Sequence, residues 1–551
     1  MKALLLVGRD LAVMIPVVLA ACGGPEAAGP TAGFTLSLSA SIVAVTQGGS
    51  GQVTLTVTPQ GGFQETVYLA LQDVPAGVSM SPTAVNVTGA QPVLQTITVA
   101  VPLSVEPQTY AVTLEGSATD LRRSVPLSLE VRNQVGTSST DVANSVAVDA
   151  VGNVYVVGGT GGSLGGANKG FADVFLARFD GSGVPLSFQQ FGTNLDDFGN
   201  RVVVDGVGNV YVAGVTQGSL SGTNQGSYDA FLAKYDASDT QLWLKQFGTS
   251  FSDWPFGMAT DAEGNVFVAG TTEGALPSRP IQSFAHAFLA KYDGAGAQLW
   301  VQQLDTSSIK DALGVAVDVG GNVYVAGSTN GNLGGPNQFL TDAFLAKFDR
   351  TGTQLWVKQL GTGSTDVASS VAVDAVGNVY LAGYTFGSLG GPNQGEADVF
   401  LARYDRSGTQ LWVEQFGTTS FDEINGVAVD SGGQIYVAGV TEGALGDANQ
   451  GFADAFLAKY DGTGKQLWVK QLGTSSTDVA RGVAVDAGAN AYVAGYTDGS
   501  LDGLTHGGRD GFLAKYDGSG TQLWVKQFGA ASQLVAVTAA EARPGRVHDH
   551  D

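Results

Sequence analysis

The chain of 551 residues has room for one small domain and one large one, and its 79 glycines against 17 prolines fit many tight hairpins rather than disorder. Acidic residues outnumber basic ones 50 to 27, a net charge of −23. No basic stripe is present to meet a phosphate backbone, which excludes nucleic acid as a partner and fits solubility or the attraction of cations.

In chain order, Lys2 and Arg9 precede an apolar stretch from Leu11 to Ala21 that is too short to span a bilayer and is shaped like a signal peptide. Leu19-Ala20-Ala21-Cys22 resembles a bacterial lipobox, although Asp10 and Pro16 depart from the ideal segment. The resemblance implies that residues 1–21 are a lipoprotein signal peptide and that Cys22 carries lipid. Cys22 is the only cysteine of the chain and has no partner for an internal disulfide. The expected location is the cell envelope, at the outer membrane or cell surface, with the membrane engaged through this lipid anchor. Residues 22–33 read as a flexible tether.

Residues 34–132 contain short alternating runs separated by Gly, Pro and Asn turns. The candidate strands are Phe34–Ala40, Ser41–Thr46, Gln52–Thr58, Glu65–Leu71, Val78–Val87, Leu94–Val101, Thr109–Leu114 and Ser124–Val131. Seven or eight strands in this length predict an antiparallel β-sandwich, immunoglobulin-like in architecture. The Cys…Trp…Cys hallmark is missing, so membership of the immunoglobulin family is not implied. The role expected of it is a spacer or adhesive module.

Residues 136–529 repeat one pattern. A strand ending in aspartate recurs at Asp149, Asp205, Asp261, Asp318, Asp374, Asp430 and Asp486, with spacings of 56, 56, 57, 56, 56 and 56 residues. Such a period means stacked supersecondary units that cannot bury their apolar faces alone. In the last copy four strands are read at Val483–Asp486, Ala491–Thr497, Gly511–Asp517 and Gln522–Phe528. Seven copies of four strands predict an all-β chain whose larger domain is a seven-bladed β-propeller. Trp243, Trp300, Trp356, Trp412, Trp468 and Trp524, with Phe188 in the first copy, read as packing between blades rather than as a stacking site. Because each copy brings its own fourth strand, the last blade is expected to meet the first through side chains alone. Leu127–Val131, assigned to the sandwich, is the alternative donor of a closing strand. Residues 530–551, ending His548-Asp549-His550-Asp551, read as a disordered tail.

The run Thr-Asp-Val-Ala-x-x-Val-Ala-Val-Asp-Ala-x-Gly-Asn-Val-Tyr-Val-Ala-Gly, met at 477–495 with Ala491 among its departures, resembles the bacterial SBBP β-propeller repeat. That family occurs in secreted and cell-surface proteins, often beside immunoglobulin-like domains. The resemblance implies a fold and no reaction.

Alternating strand direction sorts the loops onto two ends. Short Asp/Gly/Asn turns share one end, whereas the longer loops of the other end vary, as in residues 162–170 against Leu276–Pro280. Recognition of a protein or glycan is expected at the variable end. The third copy departs most from the pattern: Trp254 and Phe256 enter its first strand, Arg279 its shortened loop, and His286 replaces an aspartate. Phe198, Tyr228 and Lys310 extend the anomaly over neighbouring copies, a composition suited to an interaction site. Neutral drift, with Trp254 tucked between blades, is the alternative.

Two acidic series recur. Asp141, Asp197, Asp253, Asp366, Asp422 and Asp478 open the innermost strands, with Lys310 at that place in the fourth copy. They would either ring the channel mouth and hold calcium, a cation suited to oxygen ligands, or cap turns through their own backbone. Asp173, Asp229, Asp342, Asp398, Asp454 and Asp510, with His286 in the third copy, are expected to fix loops as hydrogen-bond acceptors. No other cofactor and no catalytic residue are assigned. The four histidines, His286, His506, His548 and His550, are too scattered for a metal set. Tyr-Asp-Gly-Ser-Gly-Thr-Gln-Leu-Trp at 516–524 is similar to the repeat of quinoprotein dehydrogenases, which are typically eight-bladed. A propeller enzyme of that type is the alternative to a binding protein.

Overall fold

A computed structural model describes residues 32–46, 50–102, 105, 108–132, 139–274, 286–304, 309–501 and 508–528. Cys22, Arg279, His506, the terminal histidines and the Lys310 side chain lie outside the described residues, as do the expected signal peptide and tail. The chain divides into two compact units, Met1–Arg132 and Asn133–Asp551.

The first unit contains nine strands: β1 Gly33–Leu38, β2 Ile42–Thr46, β3 Ser50–Gln60, β4 Thr66–Gln72, β5 Ser79–Ser81, β6 Ala84–Asn86, β7 Val93–Ala100, β8 Thr109–Ala118 and β9 Leu121–Arg132. They form two sheets, ordered β1-β3-β7-β5 and β2-β9-β8-β4-β6. The alternation Val53-Thr54-Leu55-Thr56-Val57 turns its three apolar residues inward, and both sheets bury one shared core with Leu114, Leu127 and Leu129. Two expectations change. The run expected over Val78–Val87 is two strands in different sheets, β5 on β7 and β6 on β4, with Pro82 between them unable to donate to a ladder. The sheets are not purely antiparallel, because β2 runs parallel to β9. That pairing also places Leu127–Val131 inside the first unit, as assigned.

The second unit opens with β10 Asp141–Val148, β11 Val154–Thr160, β12 Asp173–Phe179 and β13 Pro185–Phe191, four antiparallel strands in chain order. Among the described residues seven such sheets follow one another, ending in Asp478–Val485, Ala491–Thr497, Asp510–Tyr516 and Gln522–Phe528, and no helix occurs. The second and third strands are buried along nearly their whole length, consistent with sheets covered on both faces by their neighbours. The unit is propeller-like.

Aspartate chemistry makes the short turns. Asp149 Oδ1 accepts the N–H groups of Val151 (3.0 Å) and Asn153 (2.8 Å), and Oδ2 accepts Asn153 Nδ2 at 2.7 Å. Gly152 supplies the required positive φ of 92°. The third-to-fourth turn repeats the device: Asp180 Oδ1 accepts Ser182 N, Ser182 Oγ and Val184 N at 2.7–2.9 Å.

The last sheet packs on the first as every sheet packs on its successor. Lys515 Nζ donates to Gly181 O at 2.8 Å, matching Lys234 to Gly294 O (3.1 Å) and Lys459 to Gly518 O (3.0 Å) at internal junctions. An added Cβ at Gly183 would lie 3.0 Å from the Trp524 ring, just as one at Gly520 would meet Trp468 at 2.9 Å. The half-buried tryptophans thus pack against the turn glycine of the next sheet. The junctions are not side chain alone, however: Asp141 N donates to Arg509 O at 2.8 Å across the closing junction, as Asp197 N does to Ala172 O at 2.9 Å.

Candidate functional site

Each innermost strand carries the same irregularity. In β10 the ladder to β11 skips from Ala143 to Ser145, leaving Asn144 as the extra, unpaired residue of a β-bulge. The other six innermost strands skip the equivalent residues, Asn200, Phe256, Leu313, Ser369, Asn425 and Arg481. A bulge re-aims the residue it leaves unpaired, and all seven bulged residues line one cavity of about 550 Å³. Two positions earlier on the same strands, Trp254, Asp311, Val367 and Glu423 line it too, as the period of two along a strand requires. Arg201 completes the wall from the second sheet and Tyr384 from the fifth.

The bulge has a legible partner. Its tilted strand brings Val142 O to 1.8 Å from where a Cβ on Gly158 would stand, and the same approach recurs at Gly214, Gly270, Gly327, Gly383, Gly439 and Gly495 at 1.8–2.0 Å. Only glycine fits there. A glycine recurring inside a strand is the signal from which the bulge was readable.

The bulged asparagines also tie sheets together. Nδ2 of Asn144 donates to Gly199 O (3.0 Å), of Asn200 to Pro255 O (3.0 Å) and of Asn425 to Ala480 O (2.9 Å). The amide nitrogens are thereby occupied and the side chains held in place in the wall.

Charge is distributed unevenly round this wall. Arg201 is half-buried in the cavity wall; that burial, and then the like charge of Arg481, push its pKa down to about 10. Its Nη1 donates to Asn200 O at 3.1 Å. The Arg481 guanidinium lies 5.4 Å from the Tyr496 ring centre. Burial raises the Glu423 carboxyl and Arg481 partly offsets it. Asp311 Oδ1 accepts Thr271 Oγ1 at 2.8 Å. Burial also raises the Tyr384 hydroxyl, helped by Glu423 and then Asp311.

Of the expected contact residues, Trp254 and Phe256 line the cavity with nearly parallel rings, 6.4 Å apart and 8° between planes. Trp254 also packs on Tyr228 at 4.6 Å. Phe198 does not line it and instead covers Gly159, whose Cβ would fall 2.6 Å from the ring. His286 is buried at the start of its strand, opposite Thr272.

The six strand-opening aspartates do not line the cavity. Asp141, Asp197, Asp253, Asp366, Asp422 and Asp478 are buried at the sheet junctions. Oδ2 of Asp366 accepts Thr362 N (2.6 Å) and Thr362 Oγ1 (2.9 Å), and the Thr385 hydroxyl donates to its other oxygen. The second series fixes loops: Asp342 Oδ2 accepts Gln338 N at 3.0 Å and Gln359 Nε2 at 2.7 Å. Gln359 escaped sequence reasoning, as did its counterparts Gln190, Gln246, Gln415, Gln471 and Gln527. Each braces the long loop through Oε1, as Gln190 does on Leu164 N at 2.7 Å. Their recurrence one residue before the closing Phe or Leu of the outer strand was the available signal. The two series converge, since a Cβ at Gly417 would stand 2.4 Å from Asp398 Oδ1 and 3.1 Å from Asp422 Oδ2. Burial, opposed by the threonine hydrogen bonds and reinforced by the neighbouring Asp398, raises the Asp422 carboxyl. Among the described residues no three His, Cys, Asp or Glu side chains are placed to hold a metal ion.

Gly161-Gly162-Ser163-Leu164-Gly165 matches the nucleophile pattern of serine hydrolases. It runs in a loop between two strands rather than from strand to helix, and Ser163 Oγ accepts Asn168 N at 3.2 Å, so it braces a loop.

Comparison with known proteins agrees with the repeat. The SBBP beta-propeller repeat model matches residues 188–220, 242–276, 299–334, 355–390 and 467–502. Among curated proteins, the chain is 24% identical over 413 residues to a WD repeat-containing protein of Acanthamoeba polyphaga mimivirus, covering 55% of this chain and 30% of that one. It is 26% identical over 351 residues to the regulatory protein FlaEY of Caulobacter vibrioides, covering 53% and 37%. The chain thus spans about a third of the length of these relatives. Among solved structures, a quinonprotein alcohol dehydrogenase-like protein from Bacteroides thetaiotaomicron matches with TM-score 0.34 and 11% identity, over 78% of this chain and 94% of that one. A puromycin hydrolase matches with TM-score 0.41 and 13% identity, over 71% and 54%.

Proposed function

We propose that this chain of SBBP beta-propeller repeats is a binding or scaffold protein, not a catalyst, and that its seven sheets form a seven-bladed propeller behind an immunoglobulin-like sandwich. In this reading lipid on Cys22 anchors it to the cell envelope, and the propeller presents its cavity to a protein or glycan. One observation carries the reading of the site. The cavity wall is where the copies stop resembling one another: the bulge position alone holds Asn, Phe, Leu, Ser and Arg, while the glycine and aspartates that build it recur. Variation on a rigid frame is the mark of recognition.

A pull-down and a glycan array with the full chain test it, using Trp254→Ala as the comparison. Binding lost with an unchanged melting temperature supports the contact role; unchanged binding would remove the cavity from the reading. Membrane fractionation of Cys22→Ser should show release from the envelope or an unprocessed chain. Calcium at the six junction aspartates would need backbone or hydroxyl oxygens to complete its shell. Equal melting temperatures in calcium and in EDTA would dispose of it. The enzyme alternative rests on the strand ending in Trp524. That residue packs on Gly183 of the neighbouring sheet, which speaks for packing rather than for a quinone, and a bound chromophore after adding pyrroloquinoline quinone would reverse this.

A further inference from the structure

Ring order gives the cavity a direction. Starting from the first sheet, the wall reads Asn144, Arg201, then Trp254 with Phe256, then Asp311, then Ser369 with Tyr384, then Glu423, then Arg481. The two arginines flank the first sheet. The two acids flank the fifth, on the far side, and the aromatic pair separates Arg201 from Asp311.

These charges are spent on one another only in part: Arg481 stands near enough to offset some of the burial of Glu423, but does not pair with it. No ion pair within 4.0 Å joins any of the four, although all four line one cavity. Among the described residues Arg201 has one hydrogen bond, to a main-chain carbonyl, and it suffers repulsion from Arg481. Four ionisable groups held apart in a confined, half-desolvated space cost free energy that a ligand of complementary charge would recover. The repeat does not demand them. At the Arg201 position other copies carry Ser or Gly, and at the position that Glu423 shares with Asp311 the remaining copies carry Val, Phe or Trp.

A simple anion would meet the arginines but leave the acids facing it, and a simple cation the reverse. From this arrangement we infer that the cavity binds a small zwitterion of the peptide class. Its carboxylate lies between Arg201 and Arg481, its ammonium toward Asp311 and Glu423, and an apolar side chain against Trp254 and Phe256. A volume of about 550 Å³ is that of an ordinary small-molecule site. Arginine's planar fork suits a carboxylate. The inference rests on the binding reading above and names its ligand.

Isothermal titration of the full chain with Gly-Phe and Gly-Gly-Phe-Gly, each with free termini, N-acetylated or C-amidated, tests it. The free peptides should bind, and either cap should weaken binding by roughly tenfold or more, the worth of a charged hydrogen bond. Arg201→Gln should cost the free peptide a similar factor but leave the amidated peptide unaffected. Glu423→Gln should do the same toward the acetylated one. Circular dichroism melting checks that each variant folds, and Arg201→Lys, which keeps the charge but not the fork, should lose less affinity than Arg201→Gln. No binding of any free peptide, or binding indifferent to either cap, overturns the inference. Sensitivity to the carboxylate cap alone also overturns it, in favour of an anion site. A protein or glycan captured equally by wild type and Arg201→Gln would overturn this inference while leaving the broader binding reading intact.

Discussion

Two sets of aspartates, one following the third strand of a sheet and the other opening the first, sit at opposite ends of the sheets and are held in opposite ways. At the turn end, Asp236, Asp349, Asp405 and Asp517 stand in solvent. The hydroxyl two residues on and the N–H four residues on hold their carboxyls below the ordinary value. At the junction end, Asp197, Asp253, Asp366, Asp422 and Asp478 also accept hydrogen bonds from threonine. Burial outweighs those bonds and, with the like charge of the neighbouring aspartate, leaves their carboxyls raised. One side chain thus does two jobs. In water it shapes a hairpin by accepting N–H groups; between sheets it satisfies a strand opening at the cost of a confined charge.

Asp422→Ala should have the largest effect, about 2–4 kcal/mol in denaturant unfolding, because Thr418 N and Oγ1 would lose their acceptor in a buried junction. Asp422→Asn keeps an acceptor and removes the charge, so it should cost far less; equal losses would mean that the charge itself holds the junction. At the turn end, Asp374→Ala removes the acceptor of Val376 N and Asn378 N, where water can substitute, and should cost about 1 kcal/mol. A loss matching that of Asp422→Ala would erase the distinction between the ends.

The two sets also predict a pH profile. A carboxyl lowered by folding stabilises the fold above its ordinary pKa of 3.8, and that contribution disappears as pH falls through the lowered value. A carboxyl raised by folding acts in the other direction: stability is lost as pH rises from 3.8 through the raised value, where the buried group ionises. The melting temperature should therefore peak near the ordinary value of 3.8, fall as pH rises from there through the raised values, and fall again in stronger acid. Asp422→Asn should flatten the alkaline limb. A melting temperature that climbs steadily to neutrality would show that the turn set alone governs. Asp405→Asn, at an exposed turn, should give the smallest shift of the series and leave the alkaline limb untouched.

Much of this was legible in the residues themselves. Period, strand count and turn chemistry are local: an Asp followed by Gly and Asn makes its turn from atoms within five residues, and Asp149 needs no distant partner to accept Val151 N. The loop-fixing role of Asp342 likewise follows from an acceptor placed at a strand end. Where reading stopped is equally physical. The sequence shows Asn144, Phe256 and Arg481 at one repeat position, but whether that position faces a neighbour or a cavity depends on a bulge set by pairing with the next strand. Of the two readings of the strand-opening aspartates, the ring at a channel mouth gave way to the capping of local backbone for the same reason. Register placed those carboxylates between sheets, while Trp254, Val367 and Glu423, one residue further along the strand, face the cavity.

What the sequence determined alone was an all-β chain with a repeated four-strand unit and an end where loops vary, because hydrophobic period and turn residues act over short distances. What only the tertiary structure decided was the meeting of Arg201, Asp311, Glu423 and Arg481 round one cavity. Those residues come from four copies, and only the packing of sheet on sheet, with the last against the first, makes them neighbours.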